Sequence, residues 1–161
     1  MKKQDSSNDG RLTDLLERSR ELECLFKVNS LLHHQNAEKF IRDNAEFDEL
    51  FDQLVSIIIQ AWSKPESIGL RIQIGNKSYC SPDFFETSCS HVTQIKNIFG
   101  VMGSMYINYK KEPAISEELK NIFTKEKMKL IESVSELISG FLQFRKIFNK
   151  LSGPLYKGVI H

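Results

Sequence analysis

The sequence predicts an α+β fold: a small antiparallel sheet with helices packed on one face and long N- and C-terminal helices. Two observations carry this. From Ser116 to Leu151, the residues Leu119, Phe123, Glu126, Leu130, Val134, Leu137, Phe141, Phe144, Phe148 and Leu151 follow at steps of three or four, the period of one helical face. Between Ile68 and Tyr109, short runs partly alternate apolar and polar residues, and the connections between them suit only antiparallel pairing. A helix of ~35 residues is ~50 Å long. A domain of 161 residues is shorter than that, so one end projects. A projecting end that carries Phe141, Phe144 and Phe148 calls for a partner to cover it.

Residues 1–10 are polar, rich in Ser and Asn, and predict a disordered lead. From Arg11, the residues Leu12, Leu15, Ser19, Leu22, Phe26, Asn29 and His33 step by three and four alternately, as a heptad seam does. Leu16, Leu25, Val28 and Leu32 widen the apolar face, which predicts a helix that starts on a partner and finishes against its own domain. His33–Asn36 ends it. The two adjacent histidines, His33 and His34, point in different directions and make a poor metal pair. A second helix runs from Phe47 through Leu50, Phe51, Leu54, Val55 and Ile58 to Trp62, with Glu46, Asp48 and Glu49 as solvated charges in its first turn. Lys64-Pro65 stops it. Four strands follow: Ile68–Ile74, Lys77–Cys80, His91–Lys96 and Val101–Tyr109. Gly75-Asn76 turns the first pair and Asn97–Gly100 the second, while Ser81–Ser90 is irregular. Ser116 is the expected N-cap of the last helix, and Ser152-Gly153-Pro154 its expected end. The domain thus spans residues 11–151, with 152–161 as a tail.

Lys plus Arg number 22 against 21 Asp plus Glu, so charge gives no case for a nucleic-acid or anionic-membrane partner. Cys24, Cys80 and Cys89 include no CxxC pair and fit free thiols in a reducing compartment. There is no apolar run of membrane length and no signal-peptide core, so the expected location is cytoplasmic. The glycines form neither GxGxxG nor GxxxxGK[ST], and HExxH and GxSxG are absent. Cys89 and His91 lie near each other without the geometry of a catalytic pair, so no catalytic residue, metal or cofactor is expected.

Several short stretches, taken together, resemble a known family. Glu21–Phe26 (ELECLF) resembles the "ELNCLY" that opens a GAF-like sensory domain found before bacterial histidine kinase cores. Ala61–Glu66 matches its "AWxxPE", and Leu70-Arg71-Ile72 its "ARI" strand. Phe84–Thr87 is similar to "FRET", with Phe85 where Arg is usual. Gly103–Tyr109 is similar to "GxVxVYY", and Phe123–Glu126 with Leu130-Ile131 to "FLKEExxLI". Order and spacing agree from Arg11 to Lys150. Similar domains open proteins resembling phosphoenolpyruvate synthase and pyruvate dikinase.

The resemblance implies a non-catalytic regulatory module, dimeric through its terminal helices, that signals to a kinase or phosphotransferase output domain in cis or in trans. The expected homodimer seam is Leu12, Leu15, Leu22, Phe26, Phe141, Phe144 and Phe148. Trp62, Arg71, Tyr79, Cys80, Phe84 and His91 are candidates to surround a small-molecule ligand. Two alternatives stand beside this: a dimerisation adaptor without a ligand, and the N-terminal regulatory segment of a dikinase-like phosphotransferase.

Overall fold

A computed structural model describes residues 2–33, 44–87, 90–110 and 122–160. Among the described residues, two helices cover one face of a four-stranded antiparallel sheet and a third packs on those helices. Helix α1 spans Lys2–Leu32 and α2 spans Asn44–Ile59. A short 3-10 turn at Pro65–Ser67 leads into strands β1 (Ile68–Ile74), β2 (Lys77–Cys80), β3 (Ser90–Asn97) and β4 (Gly100–Tyr109). Helix α3 spans Lys125–Ile160. The strand order is β2-β1-β4-β3, so β1 and β4 are central and β2 and β3 are edges.

Period-two alternation sorts the two sheet faces. Ile68, Leu70, Ile72, Tyr79, Ile95, Met105, Ile107 and Tyr109 are buried in one core with Phe51, Leu54 and Ile58 of α2 and Ile131, Val134 and Ile138 of α3. Register pairs Leu70 with Ile107 and Ile72 with both Met105 and Tyr79, so these side chains share the helix-covered face. Arg71, Cys80, Tyr106 and Val92 form a row across all four strands on the other face. The β1–β2 hairpin closes through Gly75, whose φ of 58° suits the first central position of a twist-matched two-residue turn.

The ends of the helices differ from the sequence expectation. Helix α1 begins at Lys2, within the segment expected to be disordered. The Ser, Asn and Gly residues there cost helix stability, each about 1 kcal/mol or less, and do not forbid a helix. Helix α3 does not run unbroken from Ser116; residues 111–121 lie outside the described residues, and the chain leaves helical geometry at Phe123–Thr124. Thr124 caps the new start, its Oγ1 accepting the Lys127 backbone N–H at 3.1 Å. At the other end α3 continues through Ser152-Gly153-Pro154, where a stop was expected, because Gly and Pro weaken a helix without by themselves terminating one.

Gly103 is fixed by a close approach. A Cβ there would stand 2.0 Å from the Gln73 backbone oxygen on the neighbouring strand. Neither central strand can move away without breaking the ladder. Gly103→Ala is therefore expected to lower stability by about 3 kcal/mol or more, the upper end for overpacking, in a urea titration. A loss below about 1 kcal/mol would show that β1 and β4 separate easily.

Candidate functional site

Helix α1 carries two apolar faces. Cys24, Val28 and Leu32 are buried with Glu21 against the domain. Leu15 and Leu22 are each 67% exposed and Phe26 72%, with Leu12 and Leu16 also in solvent. At 3.6 residues per turn, the stripe Leu12, Leu15, Leu22, Phe26 points about 150° away from the buried one. Helix α3 repeats the arrangement. Leu130, Val134, Ile138, Phe141 and Leu142 are buried, whereas Phe144, Ile147 and Leu151 are exposed on a face turned about 120° from them. Helices α1 and α3 pack directly on each other.

Five of the expected seam residues (Leu12, Leu15, Leu22, Phe26 and Phe144) thus lie in solvent. Phe148 is half-buried, its ring 6.2 Å from that of Phe144. Phe141 is a correction: it is 6% exposed and stacks on Phe47 of α2 at 6.5 Å. It continues the line of Val134 and Ile138, three or four residues apart on the core face. One helical step decides between core and seam.

The six expected ligand residues do not surround one space. Tyr79 packs its ring 5.1 Å from Phe51, His91 lies 6.3 Å from Phe123, and the Trp62 Nε1–H donates to the Ile122 carbonyl, all on the helix side. Arg71, Cys80 and Phe84 are on the opposite face. The strand pleat separates Tyr79 from Cys80, and the register then sets Arg71 beside Cys80. On that face the Arg71 guanidinium lies 4.2 Å from the Tyr106 ring centroid and 5.5 Å from that of Phe84. Its Nη1 reaches Glu86 at 3.5 Å, a long contact to a side chain 79% exposed, and its buried Nε has no partner. Phe84 lies over Gly69, and Asn108, 2% exposed, donates to the Phe85 carbonyl at 3.0 Å. The segment after β2 therefore covers one end of the face. Cys80 is exposed and Cys24 buried, both as free thiols; burial, opposed by the nearby Lys127 charge, pushes the Cys24 thiol up to about 11. Cys89 lies outside the described residues.

Sequence reasoning missed the densest polar cluster. Lys127, 2% exposed, donates to Glu17 Oε2 at 2.8 Å, Glu21 Oε1 at 2.8 Å and the Ala61 carbonyl at 2.9 Å. All three ammonium hydrogens are used. The one available signal was Glu17 and Glu21 standing in line with Cys24 and Val28, polar residues on an otherwise apolar face. Beside the cluster opens a cleft of about 720 Å³, lined by Glu17, Arg18, Trp62, Lys64, Glu126 and Lys127 among others. Asp48, expected to be a free helix-start charge, accepts from the Tyr79 hydroxyl at 2.6 Å and from Lys77 at 3.0 Å. Those two hydrogen bonds hold its carboxyl below the usual range.

Among the described residues, no group of three or more His, Cys, Asp or Glu is placed to hold a metal ion, and no helix is long and apolar enough to cross a membrane. No protein-family model, curated protein or solved structure matches the chain.

Burial pushes the Glu17 carboxyl up, but the hydrogen bond and charge of Lys127 outweigh it, with Arg20 and Ser63 assisting, so the net shift is below the ordinary 4.5. A carboxyl held low in the folded state stabilises it above its unfolded value and ceases to do so as pH falls. Stability is therefore expected to drop as pH falls below about 4.5. Lys127→Met should cost about 3–5 kcal/mol at pH 7, because two carboxylates lose their cation. Denaturant titrations at pH 7 and pH 4 check both. In the variant, acidification should restore stability, and a variant with the acid profile of the parent would refute the role of Lys127.

Proposed function

We propose that this domain is a non-catalytic, GAF-like regulatory module, that it dimerises through the exposed stripes of α1 and α3, and that it passes a conformational signal along α3 to a kinase-type output domain. The observation that carries the reading is the second apolar face of α1. A helix that only closed its own domain would need one apolar stripe. Here Leu15, Leu22 and Phe26 stand in water on the side turned away from the core. Fully burying such a side chain contributes about 1.5–3 kcal/mol. A parallel or antiparallel pairing of two copies buries the stripe twice over.

The partner is a second copy of this chain because the heptad spacing of Leu12, Leu15, Ser19, Leu22 and Phe26 is self-complementary under a two-fold axis. Arg71 supports the sensory half. Its guanidinium is oriented by Tyr106 and Phe84 and, among the described residues, is held by a long contact to exposed Glu86, an arrangement able to exchange that partner for another carboxylate. Helix α3 then links the sheet to the output domain, whether in cis or in trans.

The chain is expected to sediment as a dimer. Phe26→Glu combined with Phe144→Glu should give a monomer with unchanged far-UV circular dichroism. The expected loss of dimer affinity is at least about 100-fold, from about 3 kcal/mol of lost apolar burial. A double variant that stays dimeric would sink the seam assignment. Phe141→Glu serves as contrast: it should unfold the domain, since truncating or charging a buried Phe costs about 3–5 kcal/mol.

A further inference from the structure

Beyond Leu142, α3 has no buried residue among those whose side chains are described, up to Leu151. This outgoing segment continues the buried part of the helix, and contacts outside the apolar core are what hold it in place beyond Leu142. Two aromatic rings flank it. Arg145 lies 4.1 Å over the Phe47 ring of α2. Lys146 and Lys150, one turn apart, lie 4.6 and 4.8 Å over the Phe99 ring. Phe99 sits at the tip of the β3–β4 hairpin.

The tip is itself built to hold its place. Gly100 takes a φ of 102°, and Asn97 Oδ1 accepts the Phe99 N–H at 2.8 Å, closing a tight turn. The same turn reaches α3 three times by hydrogen bonds. Asn97 Nδ2 donates to the Ser139 carbonyl at 3.4 Å, the Ile98 N–H donates to Gln143 Oε1 at 3.2 Å, and the Ser139 hydroxyl donates to the Lys96 carbonyl. Contacts from Ser139, Gln143, Lys146 and Lys150 thus form one line along α3. On the helical wheel that line lies between the core face and the face of Phe144, Ile147 and Leu151.

We infer that the β3–β4 hairpin tip is a clamp that sets the rotation of the outgoing part of α3, with Phe99 as its grip on Lys146 and Lys150. The functional consequence rests on the dimer reading: a shift of the sheet carries the tip with it and turns the apolar stripe relative to the partner copy. The clamp suits a reversible device. Its contacts are polar and cation–π, weak singly and additive along one helical line, so the segment opens more easily than the core. Its bond to β3 and β4 is covalent, so movement of either central or edge strand reaches α3 directly.

Hydrogen exchange of the full chain over residues 143–151 tests this, with variants at a solvent-facing turn that leave the core intact. Phe99→Leu keeps an apolar side chain and removes the ring face. It should speed exchange over 143–151 about tenfold, the loss of two exposed cation–π contacts. Phe99→Tyr should stay within about twofold of the parent, since it retains a ring face for the two lysines. Lys146→Gln with Lys150→Gln should reproduce the Phe99→Leu effect. Unchanged exchange in Phe99→Leu, or a Phe99→Tyr variant as fast as Phe99→Leu, would overturn the clamp. Sedimentation separates the two readings. A monomeric parent that still shows the Phe99 effect defeats the dimer and leaves the clamp standing. A dimeric parent with a silent Phe99→Leu defeats the clamp alone.

Discussion

The terminal helices are joined at Lys127. Its ammonium joins α1 through Glu17 and Glu21 to the turn after α2 through the Ala61 carbonyl, from the first turn of α3. A buried cation is costly unless each of its hydrogens finds an acceptor. The observed arrangement of these three segments provides all three acceptors. The ion cluster therefore acts as a register mark for the helices more than as a source of stability. Trp62, next in sequence to Ala61, fixes the same corner by donating to Ile122 just before α3 begins. Because α1 and α3 are fixed here, the directions in which their outer stripes face are fixed too.

From that corner the two long helices diverge in how they are held. Between Cys24 and Leu32, α1 rests on apolar packing, and so does α3 between Leu130 and Leu142. Farther along, α3 passes from the apolar core to ring faces and hydrogen bonds at Phe47 and Phe99. A segment held by weak directional contacts can change rotation at small cost, whereas one packed in a core cannot. The exposed stripe on α3 belongs to this adjustable part. That is the physical basis for reading the helix as a conduit rather than as a fixed strut.

The sheet divides the molecule in the same spirit. Its inner face is covered by α2 and α3, with α1 packed on those two helices, and its residues are interlocked. Its outer face presents a row of one thiol, one guanidinium, one phenol ring and one valine, with a short irregular segment over one end. Arg71 is the only charged member of that row, and Tyr106 beside it limits where the guanidinium can lie. On the proposed reading, a change at Arg71 would meet the central strands β1 and β4 first, and the hairpin that joins β3 to β4 would carry it to α3.

The sequence by itself determined what is local. Period-two alternation placed β1 and β2 at the residues they occupy, and Gly75-Asn76 marked their turn. Period-three-and-four spacing identified the described helices α1, α2 and α3 and showed that α1 had apolar residues beyond those a core needs. Even so, periodicity did not decide whether Phe141 or Phe144 would face the core, because neighbouring positions on one stripe differ by a fraction of a turn. Where α3 begins depended on Thr124 capping Lys127, a choice among several polar residues with similar propensities. The Lys127 cluster and the Phe99 clamp were invisible for a different reason. Lys127 meets Glu17 across a separation of 110 residues and Ala61 across 66, and such pairings exist only once the chain has folded. Local spacing fixes which elements form; only tertiary packing, through burial and long-range hydrogen bonds, decides which way each of them faces.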